Sequence, residues 1–109
     1  MTNEELNAQL RRNLMSEQDS YRRWLMQQSP ALILAEAYKY AMREDILLCF
    51  EHNLLPDTHV TALLYRSDLM DDLVAQWELA CAEHPTEIWH LIQEYAKKAA
   101  KRRRKAKGC

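Results

Sequence analysis

The sequence predicts an all-α fold, a compact bundle of about five helices with a basic C-terminal extension. The 109 residues include one glycine and three prolines, too few turn formers for an all-β domain. Apolar residues recur at three- and four-residue spacing, which is typical of amphipathic helices. The hydrophobic fraction of 48% is sufficient for one small core. We therefore predict two parts, a helical domain over residues 1–96 and a basic tail over residues 97–109.

The first two helices are predicted from their N-terminal signals. Thr2, with Glu5 three residues later, forms a capping-box pattern, so helix 1 should run from about Asn3 to Gln28. Ser29-Pro30 then places a capping residue before a proline, and helix 2 should run from Pro30 to about Asn53. Helix 2 is apolar on two sides, so we expect it to be the central helix. Its main stripe, expected to face the core, is Leu34, Ala37, Tyr38, Ala41, Leu48 and Cys49.

Two shorter helices follow the second one. Asp57 or Thr58 is expected to cap helix 3, which should span about His59–Tyr65. Ser67 is expected to cap helix 4, whose first turns are rich in aspartate. Negative charge at that position suits a helix N-terminus.

The last helix should begin near Pro85, after the His84-Pro85 break, and lose its apolar face after Ala100. The basic residues beyond have nothing to pack, so we expect them to fray. Helices 1, 4 and 5 should surround helix 2, and Leu34→Ala or Leu48→Ala should cost about 2–5 kcal/mol. The predicted core is Leu10, Leu14, Trp24, Leu34, Tyr38, Ala41, Leu48, Leu63, Leu73, Trp77, Ile88 and Ile92. Met15, Met26 and Ile46 are expected to be exposed.

Charge is strongly segregated along the chain. Residues 1–96 carry 16 acidic against 7 basic side chains, a difference of −9, whereas residues 97–109 carry 8 basic side chains and no acid. Such a tail attracts polyanions, and binding of this kind weakens steeply with salt. The alternative is a solvated helix end whose cations suit the helix dipole. The predicted RNA or DNA contacts are Lys97, Lys98, Lys101, Arg102, Arg103, Arg104, Lys105 and Lys107.

A second predicted surface is acidic and belongs to helices 4 and 5. It would meet a basic channel of a protein or ribonucleoprotein partner by imitating a phosphate backbone. The alternative is an ordinary solvated face. Its residues are Asp68, Asp71, Asp72, Glu78, Glu83 and Glu87.

Two Cys-x-x-His pairs are the only metal-like pattern. Cys49 with His52 and Cys81 with His84 would together make a Cys₂His₂ set. The same cysteines also fall where small core residues belong, and no glycine-containing knuckle accompanies them. We therefore predict no metal and no cofactor.

Two carboxylates, Glu17 and Asp45, lie on apolar stripes of the first two helices. A shared site would raise a pKa and support acid–base chemistry. The structural alternative is that each accepts hydrogen bonds from a tyrosine or pairs with Arg22 or Arg43 across the bundle. No nucleophile–base set or phosphate-binding loop accompanies them, so the chain is not predicted to be an enzyme.

Targeting signals are not predicted. The acidic start Met1–Glu5 is unlike an export signal, and the longest apolar run, Ala31–Ala35, is too short to span a bilayer. An odd count of three cysteines fits reduced thiols. We expect a cytoplasmic protein without membrane contact.

Several segments resemble a known family. They are Asn3–Asn7, Tyr21–Leu25, Ser29-Pro30, Ala37–Leu47 and Ala62–Leu64, of which Tyr-x-Tyr-x-x-Arg-Glu-Asp-Ile at 38–46 is the most specific. Over roughly residues 3–80 the chain resembles an uncharacterised domain-of-unknown-function family of short bacterial proteins, found largely in gut bacteria and often on mobile elements. That family has no assigned activity, so no functional residues carry over. The basic tail departs from its pattern.

The resemblance implies a context for two functional hypotheses. The first is a non-enzymatic inhibitor or modulator of a nucleic-acid-handling complex, similar to an anti-CRISPR protein. The second is a nucleic-acid-binding accessory of conjugation or replication that acts through the tail. Deletion of residues 97–109 should abolish binding by the accessory and spare an inhibitor that uses the acidic face.

Overall fold

The computed structural model describes residues 1–107, with side chains through Arg104. It confirms the all-α prediction, since five helices and no strand occur in that range. The helices are α1 (Asn3–Met26), α2 (Pro30–His52), α3 (Asp57–Leu64), α4 (Leu69–Ala80) and α5 (Pro85–Lys107).

The first two helices begin as predicted. The Thr2 hydroxyl accepts from the Glu5 N–H at 3.1 Å, and the Glu5 carboxylate accepts from the Thr2 N–H at 3.2 Å. The Ser29 hydroxyl accepts from the Leu32 N–H at 3.3 Å. These bonds satisfy amide groups that the helices leave free, so local sequence is sufficient to define both starts.

The next two helices begin differently from the prediction. Pro56, rather than Asp57 or Thr58, precedes α3, and no side chain caps it. Asp68, rather than Ser67, precedes α4 with a left-handed backbone (φ 52°) and makes no side-chain cap. The carboxylate of Glu17, from α1, accepts from the Met70 N–H at 3.1 Å instead. A tertiary acceptor therefore takes the place of the local cap, and sequence spacing does not reveal such a contact.

The core contains half of the residues predicted for it. Leu10, Leu14, Leu63, Leu73, Ile88 and Ile92 are buried, and Trp77 is partly buried against them. The core also contains Phe50, Leu55, Val60, Leu69, Met70 and Val74. Most of these lie on or next to α3 and α4, so the centre of the core lies toward one end of α2.

The predicted stripe of α2 does not face the core. Leu34 is 78%, Tyr38 54% and Leu48 50% exposed, while Ile46, expected to be exposed, is 1% exposed. Ala41 is exposed as well. The prediction failed because α2 is apolar on two sides, and periodicity alone does not select between them. Trp24, also predicted to be buried, is 47% exposed on α1.

The two long helices α1 and α2 pack on each other as a hairpin. The C-terminal half of α2 also contacts α4 and α5, which places it centrally as predicted. The molecule measures 49 × 29 × 26 Å. Helix α4 has only 12 residues, or about 18 Å, and does not cover the N-terminal half of α2.

The basic segment does not begin a new element. Residues 96 and 97 both lie inside α5, which continues to Lys107. Ala96 and Ala99 are buried, and Arg103 is partly buried. The expected fraying after Ala100 is therefore not observed over residues 101–107, which are helical. Within this stretch Arg103 packs on Tyr65, just past the end of α3.

Candidate nucleic-acid interface

The basic half of α5 is held on α3 by small apolar side chains and one stacked arginine. Ala96 and Ala99 face the core, which brings the α5 backbone close to α3. The Arg103 guanidinium lies 4.2 Å from the centre of the Tyr65 ring, in a cation–π contact. This packing fixes the direction in which the neighbouring cations project. Neither Tyr65 nor α3 was predicted to support the basic residues.

A groove lies beside this contact. It has a volume of about 520 Å³ and runs between α3 and α5. Lys97, Lys101 and Arg104 line its α5 side at spacings of four and three residues, which places them on one helix face over about 10 Å. His59 and Thr61 are among the residues that line its α3 side. We call this feature the basic groove.

One carboxylate also lines the basic groove. Asp57 lies at the start of α3, and its Oδ1 accepts from the Asn3 side-chain amide at 2.6 Å. That amide also donates to the Leu55 carbonyl at 2.9 Å. Asn3 therefore holds Asp57 at the end of the groove, and the cations of α5 outnumber it.

Two further cations of α5 lie on another side of the helix. Lys98 and Arg102 line a second groove of about 340 Å³ with Arg66. There the Asp72 carboxylate accepts from the Arg66 guanidinium at 2.9 Å and from the Tyr95 hydroxyl at 2.8 Å. Burial, followed by the hydrogen bond to Asp72, raises the pKa of Tyr95. An internal acid thus offsets part of the charge here. The side chains of Lys105 and Lys107 lie outside the described part of the chain.

The predicted acidic face is divided into two groups. Asp68, Asp71 and Asp72 lie at the start of α4, and Glu78, Glu83 and Glu87 lie at its end and beyond. Several of these carboxylates have internal partners: Asp71 pairs with Arg43, Asp72 with Arg66, and Glu87 accepts from the Glu83 N–H. That backbone bond lowers the pKa of Glu87. Three of the six residues thus have partners within the chain, and their joint role as a partner surface stays a prediction.

A buried arginine joins α1, α2 and α4. Arg43 is 5% exposed and donates to Gln18 at 2.8 Å and to Asp71 at 2.7 Å, and its guanidinium lies 4.2 Å from the centre of the Tyr21 ring. Its other nitrogen donates to the Glu17 carbonyl at 3.4 Å. These contacts are structural, and we call them the Arg43 cluster.

The two stripe carboxylates have different environments. Glu17 is half-buried, and desolvation raises its pKa, opposed by the Met70 N–H bond and the Arg43 charge. Asp45 is exposed, because the stripe that contains it is exposed. They do not share a site. The Glu17 carboxylate accepts from the Met70 N–H, which is neither of the two kinds of partner predicted for it, a tyrosine hydroxyl or an arginine.

The cysteines of the two cysteine–histidine pairs have different environments. Cys49 is buried, and its thiol lies 4.0 Å from the Pro85 carbonyl oxygen, while burial raises its thiol pKa. Cys81 is exposed, with a left-handed backbone (φ 53°) at the end of α4. Among residues 1–107, no group of three or more His, Cys, Asp or Glu side chains is placed to hold a metal ion.

The fold and its basic groove define a small all-α domain with a cationic surface built on its last helix. Over the part of the chain that is described, no helix combines the length and apolarity that a membrane crossing requires. The chain belongs to the family described as Protein of unknown function (DUF3848), which matches residues 6–100. This confirms the resemblance to an uncharacterised family and extends it from residue 80 to residue 100, inside α5. Neither a curated protein nor a solved structure matches the chain.

Proposed function

We propose that this protein is a non-enzymatic nucleic-acid-binding protein that holds a phosphate backbone along the basic groove. One observation carries the proposal: Lys97, Lys101 and Arg104 line one side of a groove on a helix that is packed into the fold. Cations in such a row neutralise successive phosphates and release counterions, which supplies affinity without reading sequence.

The surroundings of the row favour a backbone contact over base recognition. No Phe, Tyr or Trp is among the described residues that line the groove, and Arg103 covers one face of Tyr65 beside it. The α3 side offers hydroxyl and imidazole groups from Thr61 and His59. These groups hydrogen-bond phosphate oxygens, whereas base stacking requires free aromatic faces. We therefore expect weak sequence preference and strong salt dependence.

The test is binding of fluorescently labelled single-stranded RNA, single-stranded DNA and duplex DNA to the full chain, measured by anisotropy over a salt series. The groove variant combines Lys97→Ala, Lys101→Ala and Arg104→Ala. The matched control combines Arg12→Ala, Arg22→Ala and Arg23→Ala, which removes the same charge from exposed positions of α1.

The two variants should differ in both affinity and salt dependence. The groove variant should lose most of its affinity, and the slope of log K against log salt should fall by about 2. The control variant should keep most of its affinity and most of its salt dependence. Equal losses in the two variants would show that net charge alone drives binding, and absence of binding at low salt would reject the proposal.

Inhibition of a nucleic-acid-handling complex through acidic residues remains a prediction. Asp71 and Asp72 are engaged with arginines, so the exposed carboxylates of this set without an ion pair to another described residue are Asp68, Glu78, Glu83 and Glu87. An inhibitor of this kind would lose activity on combined substitution of these four by their amides and would keep it in the groove variant. The reverse pattern would assign the function to the basic groove.

A further inference from the structure

The exposed stripe of α2 has the residue order of a surface that pairs with itself. Leu34, Ala41 and Leu48 lie within about 20° of one line along the helix, at 100° per residue. Ala41 is at the midpoint of the series. A two-fold axis through Ala41 places Leu34 opposite Leu48 of a second, antiparallel copy.

The flanking residues follow the same symmetry. Ala37 and Tyr38 precede Ala41 by four and three residues, and Asp45 follows it by four. In the antiparallel pair, the Tyr38 side chain of one copy lies beside Asp45 of the other, on the same side of the interface. A tyrosine hydroxyl donates to a carboxylate well, and the two-fold axis makes this contact twice. Asp45, the one acid of the stripe, thus gains a partner.

From these observations we propose that the exposed α2 stripe is the interface of an antiparallel homodimer centred on Ala41. Exposed leucines at 78% and 50% are unusual on a monomer surface when they share one face. Alanines at 37 and 41 permit close approach of the two helix backbones at the centre. The pairing also sets the two helix dipoles in opposite directions.

A neighbouring groove continues this interface. It has a volume of about 470 Å³ and is lined by Leu48, Cys49, His52, Trp77 and Trp89, among others. In the proposed pair, the first turns of the other copy's α2 lie alongside the stripe at this level. Its apolar N-terminal residues therefore reach a groove with an aromatic wall, which enlarges the contact beyond the stripe.

The size of the surface indicates a weak contact. From residue 34 to residue 48 the stripe is about 21 Å long, and two such helices bury on the order of 900 Å² in total. This is below the roughly 1,000 Å² that stable interfaces exceed and is typical of transient ones. We therefore expect weak, reversible association, with a dissociation constant on the order of 10⁻⁵ M or above.

Sedimentation velocity of the full chain tests the proposal, over concentrations from about 5 to about 500 µM. The average mass should rise from monomer to dimer across this range. Leu34→Glu places a charge against Leu48 of the other copy and should weaken association at least about tenfold. The matched control is Leu79→Glu, which makes the same change at an 81% exposed position of α4 and should leave association unchanged.

A crosslink tests the register. In a background of Cys81→Ser and Cys109→Ser, Ala41→Cys should form a disulfide between two copies under mild oxidation, because the residue meets itself on the axis. Ala35→Cys, also exposed on α2 but turned about 120° from the stripe, should not.

Each outcome decides the proposal. A monomer at all concentrations overturns it. A dimer that Leu34→Glu leaves intact, or that crosslinks equally through positions 35 and 41, uses another surface and overturns it as well. Association that Leu34→Glu alone weakens, with crosslinking at position 41, supports it. Association does not require the basic groove, so loss of nucleic-acid binding leaves this result unaffected.

Discussion

The two sides of α2 differ from the usual pattern, because the buried side contains an arginine and the exposed side contains leucines. On the buried side, Arg43 is 5% exposed beside Ile46 and Phe50, and on the open side Leu34 is 78% exposed in line with Leu48. Arg43 is tolerated inside because Gln18 and Asp71 satisfy its guanidinium. A charged residue can therefore be more structural than a leucine on the same helix.

The largest expected effect comes from removing the buried cation. Arg43→Ala should lower the free energy of unfolding by about 3–5 kcal/mol, because it leaves buried Gln18 without its partner, removes the guanidinium that lies on Tyr21 and opens a cavity. Urea denaturation followed by circular dichroism measures the loss. Arg22→Ala, at an exposed position of α1, is the control and should change stability by less than about 0.5 kcal/mol. Equal effects would remove the contrast between the two sides.

Two aliphatic residues compare the sides directly. Ile46→Ala should cost about 2–5 kcal/mol because Ile46 is 1% exposed. Leu48→Ala should cost less than about 1 kcal/mol, since half of its side chain is already in contact with solvent. Chemical denaturation at low protein concentration measures both. A larger cost at Leu48 would mean that the predicted stripe, and not the observed one, faces the core.

The buried side should also show a pH signature. Desolvation raises the pKa of Glu17 in the folded state above its ordinary value of 4.5. The folded protein then binds a proton more tightly than the unfolded chain, so this group's contribution to stability falls as pH rises from about 4.5 through the folded-state pKa. Glu17→Gln keeps an oxygen acceptor for the Met70 N–H and removes the charge.

The difference between wild type and Glu17→Gln isolates this contribution. The variant should be slightly more stable at neutral pH, by less than about 1 kcal/mol, and the advantage should shrink as pH falls through the folded-state pKa toward 4.5 and be lost below that value. Denaturant midpoints at several pH values measure it. A variant that is less stable at neutral pH would show that attraction to Arg43 outweighs desolvation.

The smallest effect is expected on the open side. Leu34→Ala should change stability by less than about 0.5 kcal/mol at protein concentrations where the chain is monomeric. This replaces the cost of about 2–5 kcal/mol expected from its place in the stripe. Thermal unfolding of the dilute protein measures the change. A loss of stability above about 2 kcal/mol would mean that Leu34 is buried in the core.

The same contrast separates the features of the fold that the sequence predicted from those that it did not. Helix number, the Thr2 and Ser29 caps and the cations of α5 depend on local spacing, and these were predicted. The start of α4 was not, because Glu17 supplies its acceptor from a distant helix. Helix α2 is apolar on two sides, and its own sequence does not indicate which of these sides the neighbouring helices cover.

The candidate site shows the same division. The cations on α5 were identified from composition alone, since a run without acids is visible in any reading of the chain. Their sorting into two grooves depends on Ala96 and Ala99, which determine the side of α5 that meets α3. The role of Tyr65 depends on the same packing. A tyrosine just past the end of α3 is a signal only once the two helices are known to be neighbours.

Helix α5 runs without interruption from the core to the basic groove, so binding at the groove is coupled to the stability of the domain. Ile88 and Ile92, in its first half, belong to the core, and Lys97, Lys101 and Arg104 follow on the same uninterrupted helix. A polyanion bound there would contact a surface that exists only in the folded chain. Because the helix is already formed, binding would cost little backbone conformational entropy. Occupancy would therefore delay melting of the whole domain, by about 2.7 kcal/mol at a hundredfold excess over Kd. A rise in melting temperature with polyanion that the groove variant lacks would report binding at the C-terminal helix.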